Sequence, residues 1–338
     1  MTEKLVLIIN TGGTIGMTKS ENGYRPDSVH FSELLHNMDA LRAPEMPAWD
    51  LVHTDSILDS SNMTVGDWNA IGKLVAESYD DYDGFVILHG TATMAYTASA
   101  LSFMLEGLSR PVILTGSQIP LCEVRSDGRD NIITSLLIAA SGRISEVCIY
   151  FGNRLLRGNR AIKYSADGLI AFISPNHPAL AEAGISVVYN EAYLRKPSET
   201  GFRYVPFRNI PIGVIKVFPG IQFELFESIM TESLKGIVIE TFGAGNIPQQ
   251  GGELLPIIEK AYRNGTVLTV CSQCPQGTVS LGTYETSASL KQAGAVSGRD
   301  ITTEAAVAKL YYLFSKDYDK ETIKSLMGKN LCGEMTEA

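Results

Sequence analysis

Two short polar loops hold the residues most able to do chemistry. Thr11-Gly12-Gly13-Thr14 leaves an apolar run at 4–10, and His89-Gly90-Thr91-Ala92-Thr93 leaves another at 85–88. A threonine hydroxyl is a poor nucleophile until a base takes its proton. His89 stands at a strand end, where a structural hydrogen bond suits it better. Lys163 follows another strand in a lightly charged stretch, and it can act as a base if burial lowers its pKa. A third loop, Thr115-Gly116-Ser117-Gln118, adds hydroxyls after the run at 111–115. The first loop lacks both GxxxxGK[ST] and GxGxxG, so it reads as backbone that approaches a ligand closely, not as a phosphate cradle. Singly, each hydroxyl is an ordinary turn or cap residue. Together they suggest a small polar ligand.

Such loops need strands that end side by side. Runs at 4–10, 85–88, 111–115, 146–151 and 185–189 read as strands, several of them unbroken as expected for parallel strands covered on both faces. Helical patterns at 32–38, 65–78, 94–105 and 127–140 alternate with them. Met94, Ala98, Leu101 and Leu105 form a core stripe, and Asp127 and Asp130 suit a helix N-terminus. The alternation fails over 191–211 and resumes with strands at 213–218, 236–240 and 266–270 and helices at 222–230, 253–263 and 303–315. The expected fold is α/β, as two doubly wound α/β domains. The larger covers 1–190, a linker 191–211, and the smaller domain 212–338. Ligands belong outside the carboxyl ends of the strands.

Composition narrows the class. The chain has 338 residues, 45% of them apolar, which is enough for a core in each domain. A net charge of −9 argues against nucleic-acid or anionic-membrane binding as the main task. No apolar run is long enough to span a bilayer, and Met1-Thr2-Glu3-Lys4 leads straight into a strand, so a cytoplasmic protein is expected. The five cysteines are odd in number and scattered. Cys271-Ser-Gln-Cys274 lacks the second ligand pair of a zinc site, so no metal is expected there.

Taken in order, these motifs resemble those of the bacterial type I, cytoplasmic L-asparaginases over nearly the whole length. The matching segments are Thr11-Gly-Gly-Thr-Ile-Gly16, Ile87-Leu-His-Gly-Thr-Ala-Thr-Met-Ala-Tyr96, Leu114-Thr-Gly-Ser-Gln-Ile-Pro120 and Arg125-Ser-Asp-Gly128. Arg157-Gly-Asn-Arg160 with Lys163, Ala166-Asp-Gly168 and Phe242-Gly-Ala-Gly-Asn246 complete the set. The resemblance implies hydrolysis of L-asparagine to L-aspartate and ammonia without metal or cofactor, in a homodimer or homotetramer. It implies Thr14 as the nucleophile and Tyr24 on a mobile lid above it. Thr91 with Lys163 behind it would form a second hydroxyl centre. Asp59, Ser60 and Ser61 would hold the substrate's α-carboxylate through backbone N–H and hydroxyl groups, and Asn246 would come from a neighbouring subunit. Glutaminase side activity fits the same chemistry, because one methylene is discriminated by only about 1–3 kcal/mol. The asparaginase-like subunit of archaeal glutamyl-tRNA amidotransferase carries similar loops, but an N-terminal domain and a basic surface are expected of it.

Position 92 departs from the family's HGTDT. The family's Asp binds the substrate's α-ammonium group and completes a set with Thr91 and Lys163, and Ala92 can do neither. The expectation is weak or absent asparaginase activity in the chain as it stands. Thr14, Tyr24, Ser60, Thr91 and Lys163 are all kept, so one clean Asp-to-Ala change reads more as a deliberate inactivating substitution than as drift. The alternative function is a sensor that binds asparagine or aspartate without hydrolysing it. Glu285 is one carboxylate that could approach the same region. Asn62 stands where relatives often have Asp, and Ile162 and Glu240 give no clear sign of a second asparagine site.

Overall fold

The computed structural model describes residues 4–21, 23–228, 231–248, 254–283 and 285–337. Asn22, Met230 at the end of one expected helix and Glu253 at the start of another lie outside them, as does the Glu285 side chain. The chain divides into two compact units, Met1–Pro206 and Phe207–Ala338.

In the first unit the sheet strands are β1 (Leu5–Gly12), β2 (Ala48–Leu58), β3 (Gly84–Leu88), β4 (Val112–Thr115), β5 (Val147–Phe151), β6 (Arg154–Arg157), β7 (Ala181–Ala183) and β8 (Val187–Tyr189). They lie in the order β8-β7-β6-β5-β4-β3-β1-β2. β1 to β5 run parallel, while β6, β7 and β8 return antiparallel. The run at 185–189 thus belongs to an antiparallel edge and not to the parallel set. β2, β6 and β7 carried no unbroken apolar run to announce them.

Helices α1 (Ser28–His36), α2 (Val65–Glu77), α3 (Met94–Met104) and α4 (Gly128–Ala140) cover this sheet. Val6, Ile8, Val86, Leu88 and Ile113 cluster with Phe31 and Leu35 of α1 and Ile132 and Leu136 of α4. The alternate residues Leu7, Ile9, Phe85 and Ile87 are also buried and point to the other face, where α2 packs on α3. Each such buried aliphatic side chain contributes about 1.5–3 kcal/mol. α2 starts with a capping box, in which Thr64 Oγ1 accepts the Asp67 N–H and the Asp67 carboxylate accepts the Thr64 N–H at 2.8 Å.

β1 sits between β2 and β3, so the chain leaves it toward one side and returns on the other. The carboxyl ends of β1 and β3 therefore flank a topological switch point, where open α/β sheets bind ligands. The loops bearing Thr14 and Thr91 leave those two ends.

The second unit holds a four-stranded parallel sheet in the order β9 (Ile212–Lys216), β10 (Gly236–Thr241), β11 (Val267–Ser272), β12 (Val296–Ser297). Its helices are α5 (Leu254–Arg263), α6 (Glu285–Gln292), α7 (Thr303–Ser315) and α8 (Lys320–Met327). Over the described part of the helix expected at 222–230 there is a single 3-10 turn, Phe223–Phe226. Only Phe223 of that turn is buried and no side chain caps it, so nothing extends it into a stripe. Within the expected linker, Arg203–Tyr204 pairs antiparallel with Leu105–Glu106 of the first unit. No helix among the described residues is long and apolar enough to cross a membrane.

Candidate active site

Bare glycines bring the loops together. Gly12 and Gly13 end β1 with φ of 107° and 87°, and the Gly13 N–H donates to the Leu58 carbonyl at 3.1 Å. A Cβ on Gly13 would lie 2.4 Å from the Cα of Gly90, and one on Gly90 would lie 2.4 Å from Ser60 Oγ. The loops after β1, β2 and β3 therefore touch through backbone, and Thr14, half-buried, opens the next 3-10 turn, Thr14–Gly16. Gly13→Ala is expected to lose about 1–3 kcal/mol of stability, read from urea unfolding, because both its φ and its space forbid a side chain.

His89 is fully buried behind these loops. The Trp68 indole N–H donates to Thr97 Oγ1 at 3.1 Å, and Thr97 Oγ1 lies 2.9 Å from His89 Nε2. His89 Nδ1 lies 2.8 Å from the Gly90 carbonyl. A carbonyl only accepts, so Nδ1 carries the proton and Nε2 accepts from the Thr97 hydroxyl. His89 is thus a neutral ring that pins the Gly90 carbonyl, the structural role its position suggested. Burial pulls its pKa down to about 4 from 6.5. The native state therefore takes up this proton less readily than the unfolded chain. Stability is full above about pH 6.5 and falls toward pH 4, by up to about 3 kcal/mol. Urea midpoints followed from neutral to acid pH check this, and His89→Gln is expected to remove that part of the slope.

Lys163 ends the short strand Ile162–Lys163, which pairs with Phe172–Ile173. Its Nζ donates to Thr91 Oγ1 at 2.8 Å, and Thr91 Oγ1 donates to Gln118 Oε1 at 3.2 Å. Gln118 Nε2 donates to the Ala166 and Gly168 carbonyls, both at 3.1 Å, which fixes the orientation of its amide. The Asp127 carboxylate accepts the N–H groups of Gln118 and Ile119 and holds this loop. Burial lowers the Lys163 pKa, the direction a base requires, and no carboxylate among the described residues shifts it back. The sequence shows Gln118 only as a member of the third loop. Its part depends on contacts far apart in sequence, which no local motif reveals.

Ala92 is exposed, between buried Thr91 and half-buried Thr93. The Thr93 hydroxyl donates to the Ser60 carbonyl at 2.7 Å. Asp59 Oδ1 accepts the Ser61 N–H at 3.0 Å and caps the turn Ser60–Asn62, so its carboxylate faces its own backbone. The loop after β3 thus carries two separate hydrogen-bonded pairs, Thr91 with Lys163 and Thr93 with Ser60. Tyr24 lies on an exposed hairpin, Met17–Ser20 with Gly23–Pro26, and its Oη donates to Glu123 Oε1 at 2.7 Å. Its partner here is Glu123 rather than Thr14. In the second unit, Asn246 follows the carboxyl end of β10 and forms a backbone bridge with Phe242. Among the described residues no group of His, Cys, Asp and Glu could hold a metal ion.

Residues 5–195 match the family described as Asparaginase, N-terminal, and residues 211–327 match the Glutaminase/Asparaginase C-terminal domain. The chain is 45% identical to L-asparaginase 1 of Escherichia coli (strain K12), with 99% of each chain covered. Among solved structures it is similar to L-asparaginase I from Vibrio cholerae, with 44% identity, a TM-score of 0.92 and coverage of 99% of this chain and 100% of that one. The thermostable L-asparaginase from Thermococcus kodakarensis matches at 32% identity and a TM-score of 0.89, with the same coverage.

Proposed function

The chain belongs to the asparaginase family, and on that premise we propose that it acts on L-asparagine, releasing L-aspartate and ammonia through a threonine acyl-enzyme, with turnover held down by Ala92. The observation that carries this reading is the hydrogen-bonded chain from Lys163 through Thr91 to Gln118 beside the switch-point loops. Thr14 Oγ1 attacks the side-chain amide carbon, the C–N bond breaks, and ammonia leaves with the hydroxyl proton. Water then attacks the aspartyl ester, its proton passing toward Thr91 and Lys163 and then to the departing Thr14 Oγ1 as the acyl C–O bond breaks, which frees L-aspartate and regenerates the hydroxyl. The lowered Lys163 pKa suits that second step. The hydroxyls of Ser60 and Ser61, on the turn that Asp59 caps, hold the α-carboxylate. Tyr24 reaches Thr14 when its hairpin exchanges the Glu123 contact for the site. Asn246 is supplied by a neighbouring copy in a cytoplasmic homodimer or homotetramer.

Peptide mapping after incubation with asparagine tests the central claim. The expected result is an aspartyl ester on the peptide containing Thr14, lost in Thr14→Ala. An ester on Thr91, or ammonia release that survives Thr14→Ala, overturns the assignment.

A further inference from the structure

Asn10 occupies the last regular position of β1 and is buried. Its Oδ1 accepts the Gly12 N–H at 3.0 Å, and its Nδ2 lies 3.0 Å from His53 Nδ1 on β2. A backbone N–H can meet only the oxygen of the amide, so the Asn10 orientation is set, and Nδ2 donates to the His53 ring. His53 Nδ1 must therefore carry a lone pair. On the other side of the ring, Ser32 Oγ donates to the Ser28 carbonyl at 2.8 Å and lies 3.0 Å from His53 Nε2. With its single proton committed, Ser32 accepts from Nε2–H. Every bond around the ring thus requires the neutral Nε2–H tautomer.

We propose that His53 is a positioning residue for the nucleophile loop, acting through the Asn10 amide on Gly12, and that a proton on its ring releases that loop. The role rests on reading Thr14 as the nucleophile. A proton on Nδ1 sets two donors against each other at 3.0 Å. Asn10 must then turn its amide, which places its NH2 against the Gly12 N–H, or withdraw from both. Either way the turn Thr11-Gly12-Gly13, which leads into Thr14, loses its anchor at Gly12 and keeps Thr11 Oγ1 on the Leu88 carbonyl at 2.9 Å. The register between β1 and β2 breaks at this point, with Asn10 opposite His53 but Gly12 opposite Leu58, so the ladder does not replace the lost bond.

His53 can exchange protons with solvent. Together with Thr11, it lines a cavity of about 510 Å³ between β2 and α2. The charged groups around it are Asp55 on β2 itself, His36 on α1, and Asp67, Lys73 and Glu77 on α2. His36 is bonded to the Ser32 carbonyl at 2.8 Å, Asp67 is engaged by Thr64, and Lys73 lies 3.5 Å from Glu77. None forms an ion pair with His53, and burial lowers its pKa below 6.5, so the release operates on the acid side of that value.

The test has an arm that needs no activity. In the chain as it stands, with histidine rings labelled in nitrogen, NMR is expected to show His53 neutral as the Nε2–H tautomer at neutral pH. The Gly12 amide should shift with the same midpoint as the ring. A second arm uses Ala92→Asp as the parent. Its kcat/KM is expected to fall on the acid side with the His53 midpoint. His53→Leu should lower kcat at neutral pH by about tenfold with KM little changed, and His53→Gln, which keeps an acceptor for Asn10, should recover most of that loss and flatten the acid limb. A structural role alone would lower stability and leave the pH profile in place. The Nδ1–H tautomer at neutral pH, a Gly12 amide unmoved as His53 titrates, or an acid limb unchanged in His53→Gln overturns the proposal. If Ala92→Asp is inert, the asparaginase reading fails instead, and the NMR arm still decides the coupling.

Discussion

Ala92→Asp is expected to raise kcat/KM for asparagine by about three to four orders of magnitude, equivalent to about 4–5 kcal/mol of transition-state stabilisation. The size is taken from the cost of removing the carboxylate that orients a serine-protease triad. Two physical losses at position 92 support the direction. The substrate's α-ammonium lacks a charged partner, which weakens binding and raises KM. Lys163 holds Thr91 at 2.8 Å with no carboxylate to fix its direction, which lowers kcat. The present polarity, Lys163 to Thr91 to Gln118, keeps the threonine proton on the Gln118 side. A carboxylate beside Thr91 would give Lys163 a second partner and let the pair take a proton from water. Ammonia release by Ala92→Asp and by the unsubstituted chain, each resolved into kcat and KM, checks the prediction. Equal rates in the two would sink the role assigned to position 92.

What could be read ahead of the structure follows the locality of the signal. β1, β3, β4 and β5 carry unbroken apolar runs because helices cover both their faces, so the loops that follow them stand out, and with them Thr14, Thr91 and Gln118 as loop members. β2 was invisible. Ala-Trp-Asp-Leu-Val-His-Thr-Asp-Ser-Ile-Leu lies at the open edge of the sheet, half-exposed, and its polar residues hide it among loops. That one omission concealed His53, and with it the link from Asn10 to Gly12. The Lys163–Thr91 bond joins residues 72 positions apart. The resemblance pointed to it, whereas periodicity could not. Tyr24 marks the opposite case: a motif residue with an implied place over Thr14 is bonded to Glu123, and only the fold of the hairpin reveals that contact.

Lys309→Met is expected to cost about 3–5 kcal/mol of stability in the second unit, because it strands a buried carboxylate. Lys309 on α7 and Glu334 near the C-terminus are both fully buried, with Nζ 2.6 Å from Oε1. Lys309 also donates to the Met327 and Lys329 carbonyls, which uses all three of its protons. Glu334 accepts the N–H groups of Leu331 at 3.0 Å and Cys332 at 2.8 Å. The pair therefore ties the chain after α8 to the body of α7, and Met335 is buried beside it. Adding Glu334→Leu to Lys309→Met removes the stranded charge but orphans two backbone N–H groups, at about 1–3 kcal/mol each. The double variant should accordingly stay well below the parent, unlike ion pairs whose joint replacement by apolar residues is neutral. The deficit of Lys309→Met alone should narrow as pH falls, because a proton can then neutralise the stranded carboxylate. Urea unfolding of parent, single and double variants at neutral and acid pH separates these contributions. A single variant as stable as the parent at neutral pH would show that the pair is dispensable.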